Sequence, residues 1–297
     1  MKFERSRQRS NMGQRIAFAI VALLAGSADA DATQLLAVNM HTLTPVQGEL
    51  QMVADAGFKT IRMDLAWASV ERARGVYSFG VTDSYGPALA AHNLSWIAIL
   101  SPGNPLYGGA DFPCPTPAGI AAMAAFAGAF AARYSSAVAA GRVICELVNE
   151  PNSWINATAY SKIVAANAAA IKAAVPSAHV VGPASANIDF AWLTQLFEAG
   201  ALDHFTAITV HPYRSNSPET ALADWQQLRE LVDEYAPPAR GQRGLQKCGG
   251  ATNVPIPPGG SAQLEVHNAR PPSPPPSPAA LLEHTRQQPR PPAVRCR

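Results

Sequence analysis

From residue 31 to about residue 240, short unbroken apolar runs alternate with longer stretches in which apolar positions recur every three to four residues. The runs cover residues 34–39, 58–64, 94–100, 142–149, 179–182 and 205–211, and each predicts a β-strand. Segments such as Trp96-Ile97-Ala98-Ile99-Leu100 show no polar alternation, so these strands are expected to be covered on both faces. Helices are predicted over residues 45–56, 84–92, 117–140, 157–174, 191–199 and 219–235. Pro45 and Pro117 suit a first helical turn, while Gly57 and Gly141 suit helix ends. Repeated βα units of this kind build either a closed (β/α)8 TIM barrel or an open doubly wound sheet. Neither a G-x-G-x-x-G nor a G-x-x-x-x-G-K-[ST] run opens any of these helices, so the expected class is α/β, a TIM barrel. Residues 31–240 number 210 and hold six recognisable units. A whole barrel takes roughly 250 residues, so two units are expected to be missing or replaced.

Composition divides the chain into three parts. Lys2, Arg5, Arg7, Arg9 and Arg15 precede an apolar run over residues 16–25, and Ala28-Asp29-Ala30 follows with small residues suited to signal cleavage. Ten apolar residues fall well short of the roughly 20 a membrane span requires. Residues 1–30 are therefore expected to be a signal peptide and not a stable membrane anchor, placing the protein in a secreted or periplasmic location. Residues 31–240 carry 11 basic and 17 acidic side chains, which argues against a nucleic-acid partner for the part expected to fold as a partial barrel. Residues 241–297 contain no aromatic residue and 12 of the 26 prolines, and read as a basic, Pro-rich, disordered tail. Four cysteines do not make a disulfide framework, and Cys145, inside an apolar run, is expected in the core.

The polar residues that emerge from the apolar runs carry the chemistry, because a barrel places its working side chains at the C-terminal ends of its strands. The first run ends in Asn39-Met40-His41, the second in Arg62-Met63-Asp64 with Trp67 close behind. The fourth ends in Asn149-Glu150-Pro151-Asn152 and the sixth in His211-Pro212-Tyr213. A metal site built from His41, Asp64 and His211 is disfavoured, since no His-x-His, H-E-x-x-H or Cys-x-x-Cys spacing is present and two dispersed histidines fall short of three protein ligands. No cofactor is expected. No G-x-S-x-G elbow supports a serine nucleophile. Asn156-Ala157-Thr158 matches a glycosylation acceptor.

Glu146-Leu147-Val148-Asn149-Glu150-Pro151-Asn152, on the fourth predicted strand, resembles the Asn-Glu-Pro motif of the clan A glycoside hydrolases, with cellulase-like family 5 and family 39 the nearest fits. Residues 58–64, His211-Pro212-Tyr213 and Ser101-Pro102-Gly103-Asn104-Pro105-Leu106-Tyr107 are similar to further strand-end segments of those families. The resemblance spans about residues 34–236 and implies a retaining hydrolase cleaving a β-linked polysaccharide or oligosaccharide. Glu150 would be its acid/base, with Asn149 on the sugar 2-hydroxyl. Arg62 and Tyr213 would hold the nucleophilic carboxylate, and His41 and His211 would line the reacting subsite. Asn104, Trp67, Trp154 and Tyr107 are further expected contacts, the aromatics by stacking. Glu146 reads as a structural partner deeper in the barrel. The nucleophile expected at the seventh strand has no evident counterpart. Glu265, within Ala262-Gln263-Leu264-Glu265-Val266, is the one weak candidate. Activity is accordingly expected to be impaired, with a non-catalytic carbohydrate-binding or unstable remnant of the same fold as the alternative.

Overall fold

The computed structural model describes residues 36–108 and 115–235, together with the backbone of two strands, β1 (Ala19–Leu24) and β10 (Ala262–His267). Six strands run parallel in the order β2 (Leu36–Asn39), β3 (Thr60–Ala66), β6 (Ser95–Ser101), β7 (Val143–Leu147), β8 (Val180–Ala186) and β9 (Ala207–His211). Each adjoins the next in chain order, which is the barrel topology, and together they form a curled half-barrel. β1 pairs antiparallel with both β2 and β10. Other parts of the predicted signal and tail segments lie outside the described residues.

Helices cover the outer face. α1 (Glu49–Asp55) follows β2, and α3 (Gly80–Ala91) precedes β6. α4 (Pro117–Arg133) and the short α5 (Ser135–Ala139) precede β7. α6 (Ala157–Ala174), α7 (Phe190–Glu198) and α8 (Leu222–Tyr235) follow β7, β8 and β9. Side chains on a strand alternate between faces, so Trp96 on β6 points outward. It meets Tyr85 of α3 and Phe130 of α4 edge-on, with ring centroids 5.4 and 5.6 Å away. Thr116, Asn156 and Asp189 cap α4, α6 and α7 by accepting from backbone N–H groups of the first turn.

The predicted helix over 117–140 is in fact two. The chain leaves helical geometry at Tyr134, whose hydroxyl bonds Thr82 and Asp83 of α3, fixing the break against the neighbouring helix. A further difference lies after β3. There α2 (Trp67–Val70) leads into a hairpin of β4 (Glu71–Ala73) and β5 (Val76–Tyr77), pieces too short to carry a periodic signal. The buried Glu71 pins this hairpin by accepting from Trp67 Nε1, Gly75 N–H and the Tyr107 hydroxyl at 2.6, 2.6 and 2.5 Å.

Candidate active site

The site is built where β7 ends. Leu147 is its last ladder residue, and Val148 and Glu150 then adopt left-handed backbone geometry with φ of 68° and 50°. For a β-branched residue such as Val148 this is an outlier, and such strain costs roughly 1–3 kcal/mol per residue unless the surroundings impose it. Here they do. The buried Tyr160 hydroxyl of α6 donates to the Leu147 carbonyl, and the Glu150 N–H donates to the Ala184 carbonyl at 3.0 Å. Asn152 clasps Ala186 from both sides, donating through Nδ2 at 2.9 Å and accepting from the backbone N–H at 2.8 Å. The irregular turn is thereby fastened to the end of β8.

Held this way, the Glu150 side chain is 25% exposed and reaches β9. Its Oε1 lies 2.7 Å from His211 Nδ1 and also accepts the Tyr213 hydroxyl. His211 is buried and Tyr213 exposed, so the carboxyl sits where the wall of the barrel meets solvent.

Beneath it lies a buried polar layer centred on Arg62. Its Nε donates to Glu146 Oε2 at 2.6 Å, Nη2 to Asn149 Oδ1 at 2.7 Å and Nη1 to Asn39 Oδ1 at 3.2 Å. Glu146 Oε1 accepts the Thr209 hydroxyl at 2.9 Å, whose oxygen in turn accepts the Ala184 N–H at 2.9 Å. Arg62 has only donors, so it fixes both amides it touches. Asn149 must turn its Oδ1 toward Arg62, which presents its Nδ2 as a donor on the other side. Asn39 likewise turns Nδ2 toward His41 Nε2, 3.3 Å away. That contact ties His41 to the Arg62 layer through Asn39.

The structure thus gathers Glu150, Asn149, Arg62, His211 and Tyr213 at one mouth, with His41 joined through Asn39. The second, nucleophilic carboxylate expected beside Tyr213 and Arg62 falls outside the described side chains, and the bonds described are to other groups. Tyr213 donates to Glu150 itself, and Arg62 is paired with Glu146, only 1% exposed, and with Asn149. Of the aromatics expected to touch sugar, Trp67 lies in the core and the partly buried Tyr107 packs against it. Trp67 is 1% exposed and stacks between Tyr107 and Phe126 at 5.1 and 5.9 Å, with its N–H spent on Glu71. Tyr107 is the other side of that stack, and burial together with Glu71 pushes its hydroxyl pKa up to about 12. Asn104 is buried, donates to the Glu71 carbonyl and accepts from the Leu106 N–H, so its amide is used in holding the loop. Trp154 is half-buried and packs on the core just beyond the Asn-Glu-Pro turn. The side chain of Glu265 lies outside the described residues. One contributor, Thr209, escaped the sequence reading of the site, while Asn39 and Asn152 were named there as strand-end residues without a role. Thr209 shares a strand face with His211 two positions on, a period-two signal that points to it.

A curled parallel sheet with its polar groups collected at the C-terminal strand ends defines a TIM-barrel α/β protein. Its structural neighbours are glycoside hydrolases of families 39 and 5. A GH39 β-xylosidase from Caulobacter crescentus matches with a TM-score of 0.55 at 20% identity, over 72% of this chain and 54% of that one. A family 39 glycoside hydrolase from Bacteroides cellulosilyticus WH2 matches with a TM-score of 0.52 at 22% identity, over 60% of this chain and 38% of that one. XacCel5A in complex with cellopentaose matches with a TM-score of 0.50 at 18% identity, over 64% of this chain and 67% of that one. At these identities the likeness is one of fold, and the chain spans about half the length or less of the two family 39 structures. No family model matches the chain, and no curated protein matches it.

Proposed function

We propose that this protein is a secreted, retaining glycoside hydrolase acting on a β-linked polysaccharide or oligosaccharide, with Glu150 as its acid/base. The observation that carries the reading is the placement of the Glu150 carboxyl at the barrel mouth between His211 Nδ1 and the Tyr213 hydroxyl. Cleavage of a glycosidic bond requires a proton for a poor leaving-group oxygen, delivered by a carboxylic acid in fixed position. The Tyr213 hydroxyl donates to Oε1, and His211 Nδ1 lies 2.7 Å from the same oxygen, so two polar groups fix the carboxyl's position. Asn149, oriented by Arg62, offers its Nδ2 to a sugar hydroxyl, a contact of the kind that strengthens as the ring flattens toward an oxocarbenium-like state. Glu146 is engaged by Arg62 and Thr209 and buried, so it serves as an anchor and not as nucleophile. A retaining mechanism draws that second carboxylate from elsewhere, with Glu265 the candidate from sequence. The fold of the neighbours, one of them with cellopentaose bound, supports a saccharide ligand. The basic, then apolar, then small-residue run over residues 1–30 supports export.

The test is hydrolysis of paired aryl β-glycosides by the full chain. Glu150→Gln should lower turnover about 10²- to 10⁴-fold with a poor leaving group such as unsubstituted phenol, the usual worth of general acid catalysis. With dinitrophenol, which needs no protonation to depart, the loss in kcat/KM should be far smaller, while kcat stays lowered by the slowed second, base-assisted step. Equal turnover before and after the substitution defeats the assignment. Saccharide binding without any turnover supports the alternative, a non-catalytic carbohydrate-binding form of the fold.

A further inference from the structure

Asn156-Ala157-Thr158 stands where the turn that carries Glu150 passes into α6, and a second run of the same acceptor pattern, Asn93-Leu94-Ser95, joins α3 to β6. We propose that Asn156 is an attachment site for an N-linked oligosaccharide and that Asn93, for all its matching sequence, is not. The inference rests on the export reading of residues 1–30, because Asn-x-Ser/Thr runs are modified along a secretory route. The reaction is a substitution at a sugar carbon. One N–H bond of Asn156 Nδ2 breaks and Nδ2 bonds to the anomeric carbon of an oligosaccharide carried on a lipid pyrophosphate. The bond from that carbon to the carrier oxygen breaks, the lipid pyrophosphate leaves, and the proton passes to a base on the transferase.

Exposure separates the two runs. Asn156 and Thr158 both face solvent, and between them only the methyl group of Ala157 is buried. Asn93 is exposed too, but the Ser95 that completes its run is half-buried and Leu94 is 2% exposed. The bonds differ as well. Asn156 spends its Oδ1 on the cap of α6, accepting the Ala159 N–H at 2.8 Å, and its Nδ2 makes no hydrogen bond among the described residues. A glycan replaces one hydrogen of Nδ2 and leaves Oδ1 untouched, so the modified residue still caps the helix. Asn93 holds left-handed geometry at φ 54°, and its Oδ1 accepts Arg142 Nη1 at 3.0 Å. Arg142 Nη2 also donates to the Leu94 carbonyl at 3.3 Å.

The last difference is the cost of presenting each run. The pattern includes the hydroxyl residue, so a transferase must reach the first and third positions together. At Asn156 that frays the first turn of a helix, whose leading N–H groups have no intrahelical partners. Ile155 stays fixed meanwhile, since its carbonyl accepts Trp192 Nε1 at 3.0 Å. At Asn93 it would pull Leu94 out of the core and tear Ser95 from the start of β6, where its N–H donates to the Lys59 carbonyl at 2.9 Å.

The experiment translates the full chain in the presence of microsomes from endoplasmic reticulum, with import scored by protection from added protease. Imported wild type should gain one step in apparent mass that peptide N-glycosidase removes, leaving the mass change of deamidation on the peptide that contains position 156. Thr158→Ala keeps the Asn156 cap and should abolish the step, Thr158→Ser should retain it, and Ser95→Ala should leave it unchanged. A step that is absent from the imported chain, survives Thr158→Ala or is lost in Ser95→Ala overturns the assignment. A second step that disappears in Ser95→Ala overturns the distinction between the two runs. A parallel form with a proven cleavable secretory signal in place of residues 1–30 keeps the two readings apart. If only that form is imported and it takes the glycan, the export reading fails and the site stands; if it is imported and takes none, the site fails.

Discussion

At the scale of single residues, the decisive group is the buried pair of Arg62 and Glu146, both almost without exposure and bonded at 2.6 Å. Replacing one member of such a pair leaves the other charge buried without compensation. Glu146→Gln should therefore cost about 3–5 kcal/mol of unfolding free energy, measured as a lowered denaturant midpoint at unchanged slope. A loss under about 1 kcal/mol would place the pair in the class of exposed ion pairs and contradict its burial. Cys145, wholly buried on β7, has its thiol pKa pushed up to about 12 from 9.0 by burial alone. A group raised in the folded state keeps its stabilising effect below the unfolded value and loses it as pH climbs beyond. At pH 9, then, iodoacetamide should alkylate Cys145 in the unfolded chain and spare it in the native one, as mapped by peptide mass spectrometry. Which of these residues could be read in advance follows from what each depends on. Asn149, Glu150, His211 and Tyr213 are legible because strand ends announce them as polar interruptions of apolar runs. Trp67 misleads because its fate is decided by the turn of α2, which folds it under Tyr107 and beside Glu71.

Among the elements, strand positions follow from local apolar pattern, and all six parallel strands lie where short runs predict them. Their ends depend on contacts that the pattern does not contain. The fifth run was read as covering residues 179–182. Instead β8 continues to Ala186, because an irregularity opposite β9 lets Thr209 Oγ1 receive the Ala184 N–H. The α2 turn and the β4–β5 hairpin were invisible for a related reason: the bonds that hold them converge on Glu71 from Tyr107 and Asn104, more than 30 residues away in the chain. β8 also tests how closely strand and helix layers meet. A Cβ added at Gly182 would stand 2.7 Å from the ring of Phe205, itself buried, and 3.5 Å from the Tyr160 hydroxyl. Gly182→Ala should destabilise by roughly 1–3 kcal/mol through overpacking. It should also disturb the Tyr160 bond that supports the Glu150 turn. Thermal melting checks the first effect and the Michaelis parameters the second, and a variant as stable as wild type would mean that Phe205 yields at no cost.

Over the whole molecule, what converts six βα units into one body is the polar layer inside the curl. Neighbouring strands are tied by ladders, but Arg62 on β3 reaches Glu146 on β7 across β6, and Thr209 on β9 reaches the same carboxylate across β8. These bonds exist only when the sheet is curled, so they couple the early and late units in a way that successive ladders do not. A half-barrel held by ladders alone would be free to melt from one end, unit by unit, as stacked repeats do. The five tryptophans are distributed so as to distinguish the two cases. Trp67 and Trp96 report on the early units, Trp154 on the Glu150 turn, Trp192 on α7 and Trp225 on α8. Variants retaining Trp96 alone or Trp192 alone, the rest replaced by Phe, should unfold in urea at midpoints that coincide with each other and with far-ultraviolet circular dichroism once their common loss of stability is accounted for. Adding Thr209→Val removes the outer of the two cross-sheet bonds. Its expected signature is a Trp192 transition that separates to lower denaturant while Trp96 stays close to its place. Coincident transitions in both backgrounds would show that the ladders and the helical layer suffice, and that the Arg62 layer serves the positioning of Asn149 without binding the two ends of the sheet together.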